Sequence, residues 1–171
     1  MTITVPKGFR ASGVTAGLKT SGKPDLALVV NDGPSKAAAA VFTSNRVAAA
    51  PVHWSREVIK DGRVDAVILN SGGANACTGP QGFQNTHTTA EKTAEALSLS
   101  ATDVIVCSTG LIGEHLPMDK LVPGIDSAVA ALSDEGGAEA ATAIMTTDSV
   151  SKQAVFIGQD AEGNEFAFGV I

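Results

Sequence analysis

A chain of 171 residues with 44% hydrophobic and 18% charged residues suits one domain and can bury about 70% of its unfolded surface, which excludes a disordered chain. Twelve basic against eighteen acidic residues give a net charge of −6 with no block of either sign, which argues against a nucleic-acid partner, since phosphate binding needs a concentrated basic surface. Met1 to Phe9 has neither the basic nor the apolar region of a signal peptide, and no apolar run approaches the ~18 residues of a membrane span, so a soluble, cytoplasmic protein without a membrane partner is expected.

Residues 1–24 read as an irregular lead-in, because Pro6, Gly8, Gly13, Gly17, Gly22 and Pro24 interrupt any period. Leu26 to Val30 is the first strand, closed by the turn signal Asn31-Asp32-Gly33-Pro34. Ala38 to Thr43 and Ala49 to Trp54 read as two further strands of a meander, their connection being too short for a helical crossover. Ser55 is then placed to cap a short helix through Ile59 that ends near Gly62.

Asp65 to Asn70 is a buried strand, and it enters the most unusual loop of the chain, Asn70-Ser71-Gly72-Gly73-Ala74-Asn75-Ala76-Cys77-Thr78-Gly79-Pro80. Glycines and asparagines without a bulky side chain suit backbone that passes close to something, although a flexible surface loop has the same composition. Phe83, His87, Ala90, Ala94 and Leu97 follow at helical spacing and predict a helix with that face inward, His87 being a packing histidine.

Asp103 to Gly113 changes character halfway. Val104 to Cys107 is a buried strand, and Ser108-Thr109-Gly110 ends it in small hydroxyl residues and a glycine, which can offer donors to a substrate carbonyl as an oxyanion hole or be an ordinary turn. The order strand, helix, strand makes the two buried strands parallel, with the Asn70 to Gly79 loop and Ser108-Thr109-Gly110 at one end, bordering one cleft.

Ile125, Val129 and Leu132 mark a helix preceded by Pro123-Gly124, and an alanine-rich helix runs from Ala138 to about Ile144. Met145-Thr146-Thr147-Asp148-Ser149 is a second hydroxyl cluster, a solvated helix end or a contact for substrate. Gln153 to Gly158 and Glu165 to Ile171 form a hairpin about the turn at Asp160 to Asn164. Because the chain stops within an apolar strand, the native unit is expected to include more polypeptide.

Cys77 and Cys107 form neither a disulfide framework nor a metal motif, and no metal is expected. Cys107 reads as a small core residue and Cys77 as the more exposed of the two. No serine or cysteine has a recognisable base, so the residues by themselves give an α/β domain with a small-molecule cleft and leave its function open.

Five stretches together resemble one family: Ala40 to Arg46 with Ala50-Pro51-Val52, Asn70 to Gly79, Cys107 to Gly113, Pro117-Met118, and Ala143 to Asp148. In this order they are similar to the amino-terminal (α) part of the ornithine acetyltransferases, also called bifunctional glutamate N-acetyltransferases. The resemblance implies an α/β fold of mixed sheets with helices packed on their faces, an αββα-type sandwich in which residues 1–171 are the α-chain portion of one acetyltransferase domain, incomplete without the β chain. It implies acetyl transfer from N-acetylornithine to glutamate in arginine biosynthesis. The acyl-enzyme forms on the threonine that autocatalytic cleavage leaves at the start of the β chain, with that residue's own amine as base.

The implied assembly is α2β2, without a cofactor, and acetyl-CoA is a possible further donor. Carried onto matching positions, Thr109 and Gly110 are oxyanion donors and Thr146 a substrate contact, with Asn70, Gly72, Asn75, Thr147 and Asp148 as cleft-lining residues. Two departures stand out. The family's Lys-Gly-x-Gly-Met stretch and Ala-Thr junction are expected after the last hairpin, but the sequence stops at Ile171 before either, and Gly73 occupies the usual position of an asparagine. This chain alone is therefore expected to be inactive. The other readings are a noncatalytic binding or assembly domain and a self-cleaving aminopeptidase of related architecture.

Overall fold

The computed structural model describes residues 2–171, and its first strand lies inside the stretch that reads as irregular. That strand, β1, is Phe9–Val14, paired antiparallel with β2, Leu26–Asn31. Gly13 does not break β1 because its missing side chain serves a contact: a Cβ there would fall 2.0 Å from the carbonyl oxygen of Glu139. The glycine admits a helix that lies more than a hundred residues later in the chain.

The second correction concerns residues 38–58. Ala38 to Thr43 is not a strand, and Ala49 to Trp54 belongs largely to helix α1, Ala50–Val58. Pro51 sits in the first turn, where its missing N–H costs nothing. The buried positions Pro51, Ser55 and Val58 step by four and three, a helical period that the short apolar run concealed. Ser55 therefore caps nothing. It is buried inside α1, and its hydroxyl donates to the Val106 carbonyl at 2.8 Å. The helix ends, through a short 3-10 turn, at Gly62 in the left-handed region.

β3, Ala66–Gly73, pairs antiparallel with β2 and parallel with β4, Val104–Leu111, so the sheet order is β1-β2-β3-β4. The expected parallel pair is present, but both strands run past the predicted ends, into Gly73 and Leu111. Helix α2, Gly79–Leu97, makes the crossover. Its buried face includes Gly82, Thr86, Thr89, Ala90, Thr93 and Ala94, whereas Phe83 is 45% exposed. Thr86, Thr89 and Thr93 can be buried because each hydroxyl donates to the carbonyl four residues back. His87 packs against Trp54, ring centroids 4.9 Å apart.

Helix α3, Met118–Ala130, starts before Pro123-Gly124 and contains them. A Cβ at Gly124 would fall 2.5 Å from that of Ala16, so the glycine lets α3 close on the loop after β1. Helix α4, Gly137–Ala143, and the separate hairpin of β5, Ala154–Gln159, with β6, Glu165–Val170, complete the chain.

Alternation along the strands sorts the sheet into two faces. Leu28, Ile68 and Val106 point into the larger core with Leu121 and Ile125 of α3, each buried side chain contributing about 1.5 to 3 kcal/mol. Ala27 on the opposite face packs against Ala140 and Ala143 of α4. Ser71 and Thr109 share that second face, so the carboxyl ends of the parallel pair point toward the segment that follows α4.

Candidate active site

The two strand ends meet as Ser71 opposite Thr109 and Gly72 opposite Gly110. Both glycines are in the positive-φ region, at 124° and 130°. A Cβ at Gly110 would fall 2.5 Å from the Gly72 carbonyl carbon and 2.7 Å from the Gly73 nitrogen, so close backbone approach requires glycine here. Ser71 ties this end to α4, its hydroxyl donating to the Ala143 carbonyl, three residues before Thr146.

Beside the strand ends lies a cleft of about 550 Å³. Gly72, Thr109, Gly110 and Leu111 form its wall on the sheet, and Thr146 and Thr147 form a second. The structure thus brings Thr109 and Gly110 together with Thr146, Thr147 and Gly72, residues separated by up to 75 positions in the chain.

Three other residues expected to line the cleft do not. Asn70 is 3% exposed; its amide donates to the Gly73 carbonyl at 3.0 Å and its oxygen accepts from the Ser108 hydroxyl at 2.6 Å, bracing the strand ends from the other face of the sheet. Asn75, at 0% exposure, donates to the Gly82 carbonyl and the Thr86 hydroxyl at 2.8 and 2.9 Å and accepts from Thr78 at 2.8 Å. It staples the loop to the start of α2, and its polarity is spent on the protein. Asp148 faces a different depression, beside Val150, Lys152 and Val170, where its hydrogen bond with Lys152 holds its carboxyl below the usual range. Gly73 is buried, and a Cβ there would meet the Leu116 side chain at 2.8 Å.

The third wall, Leu18 to Ser21, belongs to the apparent lead-in and is the part of the site that sequence reasoning missed. Asp25 makes it. Its carboxylate is fully buried and accepts the main-chain N–H groups of Ala16, Leu18 and Lys19 at 2.7, 2.6 and 3.0 Å, folding the loop over the end of β2. Its own main chain receives the Ser71 N–H at 2.8 Å, which couples the loop to β3. The half-buried Lys19 donates to the carbonyls of Pro24 at 2.8 Å and Met145 at 2.6 Å, and burial pulls its ammonium below its ordinary range. The visible signal was an aspartate placed directly before an apolar strand, after a short loop between Gly17 and Gly22 that carries Lys19.

Chemically the cleft offers hydroxyls, main-chain donors and one ammonium, without a thiol or a histidine. Cys77 is exposed, while Cys107 is half-buried and lines a separate apolar groove between β4, α1 and residues 38–42. Burial pushes the Cys107 thiol up, away from the thiolate that a nucleophile needs. Among the described residues no group of three or more His, Cys, Asp or Glu could hold a metal ion, and no helix is long and apolar enough to cross a membrane.

The ArgJ family model matches residues 10–169. The arginine biosynthesis bifunctional protein ArgJ of Streptomyces coelicolor is 64% identical over 155 residues, which is 91% of this chain and 40% of that protein. The ArgJ of Thermobifida fusca is 62% identical over 152 residues, again 40% of its length, so the chain spans about two-fifths of these curated relatives. Among solved structures, an ornithine acetyltransferase of Mycobacterium tuberculosis, complexed with ornithine, superposes with a TM-score of 0.93 at 54% identity, covering 99% of this chain and 90% of that one. The arginine biosynthesis bifunctional protein of Bacillus halodurans superposes with a TM-score of 0.90 at 37% identity, covering 99% and 87%. The mixed sheet and its crossover are thus those of a known α/β architecture, and the chain belongs to the ArgJ family.

Proposed function

We propose that this chain is the α portion of an enzyme of arginine biosynthesis that moves an acetyl group from N-acetylornithine to glutamate. The observation that carries the reading is the meeting of Thr109 and Gly110 with Thr146 across one cleft that holds neither thiol nor histidine. Such a cleft suits a nucleophile brought by another chain. In this reading the threonine that begins the β chain after self-cleavage uses its own amine as base, and its hydroxyl oxygen attacks the acetyl carbonyl of N-acetylornithine. The carbonyl oxygen becomes an oxyanion held by the Thr109 hydroxyl and the Gly110 N–H. Collapse expels ornithine and leaves the acetyl group on the threonine, from which the amine of glutamate removes it.

Thr146 contacts the substrate, and Thr147 and Gly72 shape the space around it. Family membership and the ornithine-bound state of the Mycobacterium tuberculosis relative support this substrate class. The reading further includes α2β2 assembly in the cytoplasm, no cofactor, acetyl-CoA as an additional donor, and an αββα sandwich completed by the β chain. The test is to combine this chain with a downstream half bearing the threonine and to assay acetyl transfer against peptide hydrolysis. Transfer that needs both halves supports the proposal. Peptide hydrolysis instead, or transfer by this chain alone, overturns it.

A further inference from the structure

We propose that Lys19 recognises the carboxylate of the amino-acid substrate, a role that rests on the acyl-transfer reading above. Lys19 is the one charged side chain among the residues that line the cleft, and it stands there with Thr109, Gly110 and Thr146. A substrate carboxylate entering a half-enclosed space loses water, and that loss is offset only by a charged or hydrogen-bonding partner. No other lining residue carries positive charge.

The ammonium has three N–H donors. Two reach main-chain carbonyls, Pro24 at 2.8 Å on its own loop and Met145 at 2.6 Å on the segment carrying Thr146, leaving one donor for the cleft. These two contacts also prevent the flexible stem from sweeping, so the charge is fixed before substrate arrives. The loop is fixed in turn by the three N–H groups that the Asp25 carboxylate accepts. A cleft of about 550 Å³ suits a small N-acyl amino acid whose acyl carbonyl lies toward Thr109 and whose carboxylate lies toward Lys19. Burial pulls the ammonium below its ordinary range, which an incoming carboxylate would counter.

The experiment compares N-acetylornithine with its α-carboxamide in the complete enzyme, wild type, Lys19→Met and Lys19→Arg, with thermal unfolding followed in parallel. A hydrogen bond to a charged group corresponds to roughly 10- to 100-fold in kcat/KM. Wild type is expected to prefer the acid by about that factor, and Lys19→Met to shrink the preference to within about threefold, the acid losing more than the carboxamide and losing it chiefly through KM. Lys19→Arg is expected to restore much of the preference. Equal losses on acid and carboxamide would make Lys19 only a clamp between its loop and Met145 and overturn the proposal. So would a wild-type enzyme indifferent to the two substrates, a result that needs no variant to fold. Both outcomes leave the acyl-transfer reading standing, whereas a complete enzyme that transfers no acetyl group overturns that reading and this one with it.

Discussion

Gly110 approaches Gly72 so closely that a Cβ on the former would sit 2.5 Å from the carbonyl carbon of the latter. The neighbour is backbone at the end of a paired strand, so it cannot rotate away. Gly110 also holds φ at 130°, where an L side chain is strained. Gly110→Ala is therefore expected to destabilise the fold by roughly 2 to 4 kcal/mol, strain and overpacking together. Urea unfolding checks this, and a change below ~0.5 kcal/mol would show that the strand ends can part freely.

Asp25 is the counterpart in the lead-in loop. Its carboxylate accepts three main-chain N–H groups while fully buried. Asp25→Ala leaves those donors without their acceptor, at a cost of ~3 kcal/mol or more. Amide exchange should accelerate first at Ala16, Leu18 and Lys19, ahead of the sheet. If exchange at those three residues is unchanged, the loop is held by something other than this carboxylate.

Much of this arrangement was legible in the sequence, and the failures have a common cause. Ala66 to Leu69 and Val104 to Val106 announce themselves because a sheet buried on both faces demands apolar, β-branched runs, and the small polar residues after them mark where the pair opens. Gly13 and Pro123-Gly124 misled for the opposite reason. They answer to packing partners, Glu139 and Ala16, that are distant in the chain, while a local reading treats glycine and proline as punctuation. Asn75 misled because a buried amide satisfied by Gly82, Thr86 and Thr78 has the same sequence signature as one waiting for a ligand. Ser108-Thr109-Gly110 was visible in the residues themselves as either an oxyanion site or a turn, whereas the donor roles of Thr109 and Gly110 and the substrate contact at Thr146 came from the family resemblance. Lys19 could be found only once the fold had carried it to Met145.

The two cysteines give a prediction independent of the enzyme reaction. Cys77 is exposed, and burial raises the Cys107 pKa, so near pH 8 a thiol reagent should modify Cys77 about tenfold faster or more. The raised folded-state pKa also fixes the sign of the stability effect. The contribution of the neutral Cys107 thiol is fully present below the unfolded pKa of about 8.5 and is lost as pH rises through the folded value. Mass-spectrometric labelling of the folded chain decides it, and equal rates would mean that β4 is more open than described.

Thr146 stands at the exposed end of the cleft, after α4, where a hydroxyl can meet a polar group of the substrate. Thr146→Val in the complete enzyme is expected to lower kcat/KM by the equivalent of about 1 to 3 kcal/mol, the cost of a polar partner left unpaired. Its exposure makes a folding explanation easy to exclude, since unfolding should shift by less than about 0.5 kcal/mol. Unchanged kcat/KM for both N-acetylornithine and glutamate would remove Thr146 from the site.

Thr109 separates catalysis from binding most directly. It lies near the carboxyl end of β4, opposite Ser71 and two pairs before the last, and shares the face that looks toward Thr146. An oxyanion donor matters little to a neutral carbonyl and greatly to the tetrahedral intermediate, so its loss belongs in kcat. Thr109→Val keeps the volume and the β-branch that suit a strand but removes the hydroxyl. The expected result is a fall in kcat of roughly 10²- to 10³-fold with the fold intact, the usual effect of removing one such donor. Gly110→Ala is the poorer probe, because its clash with Gly72 disturbs the strand pair before chemistry is reached. Single-turnover acylation of the complete enzyme by N-acetylornithine is the measurement, with unfolding followed in parallel. Acylation at the wild-type rate would make Ser108-Thr109-Gly110 only the end of a strand. A loss no larger than the loss of folded protein would make the role of Thr109 structural.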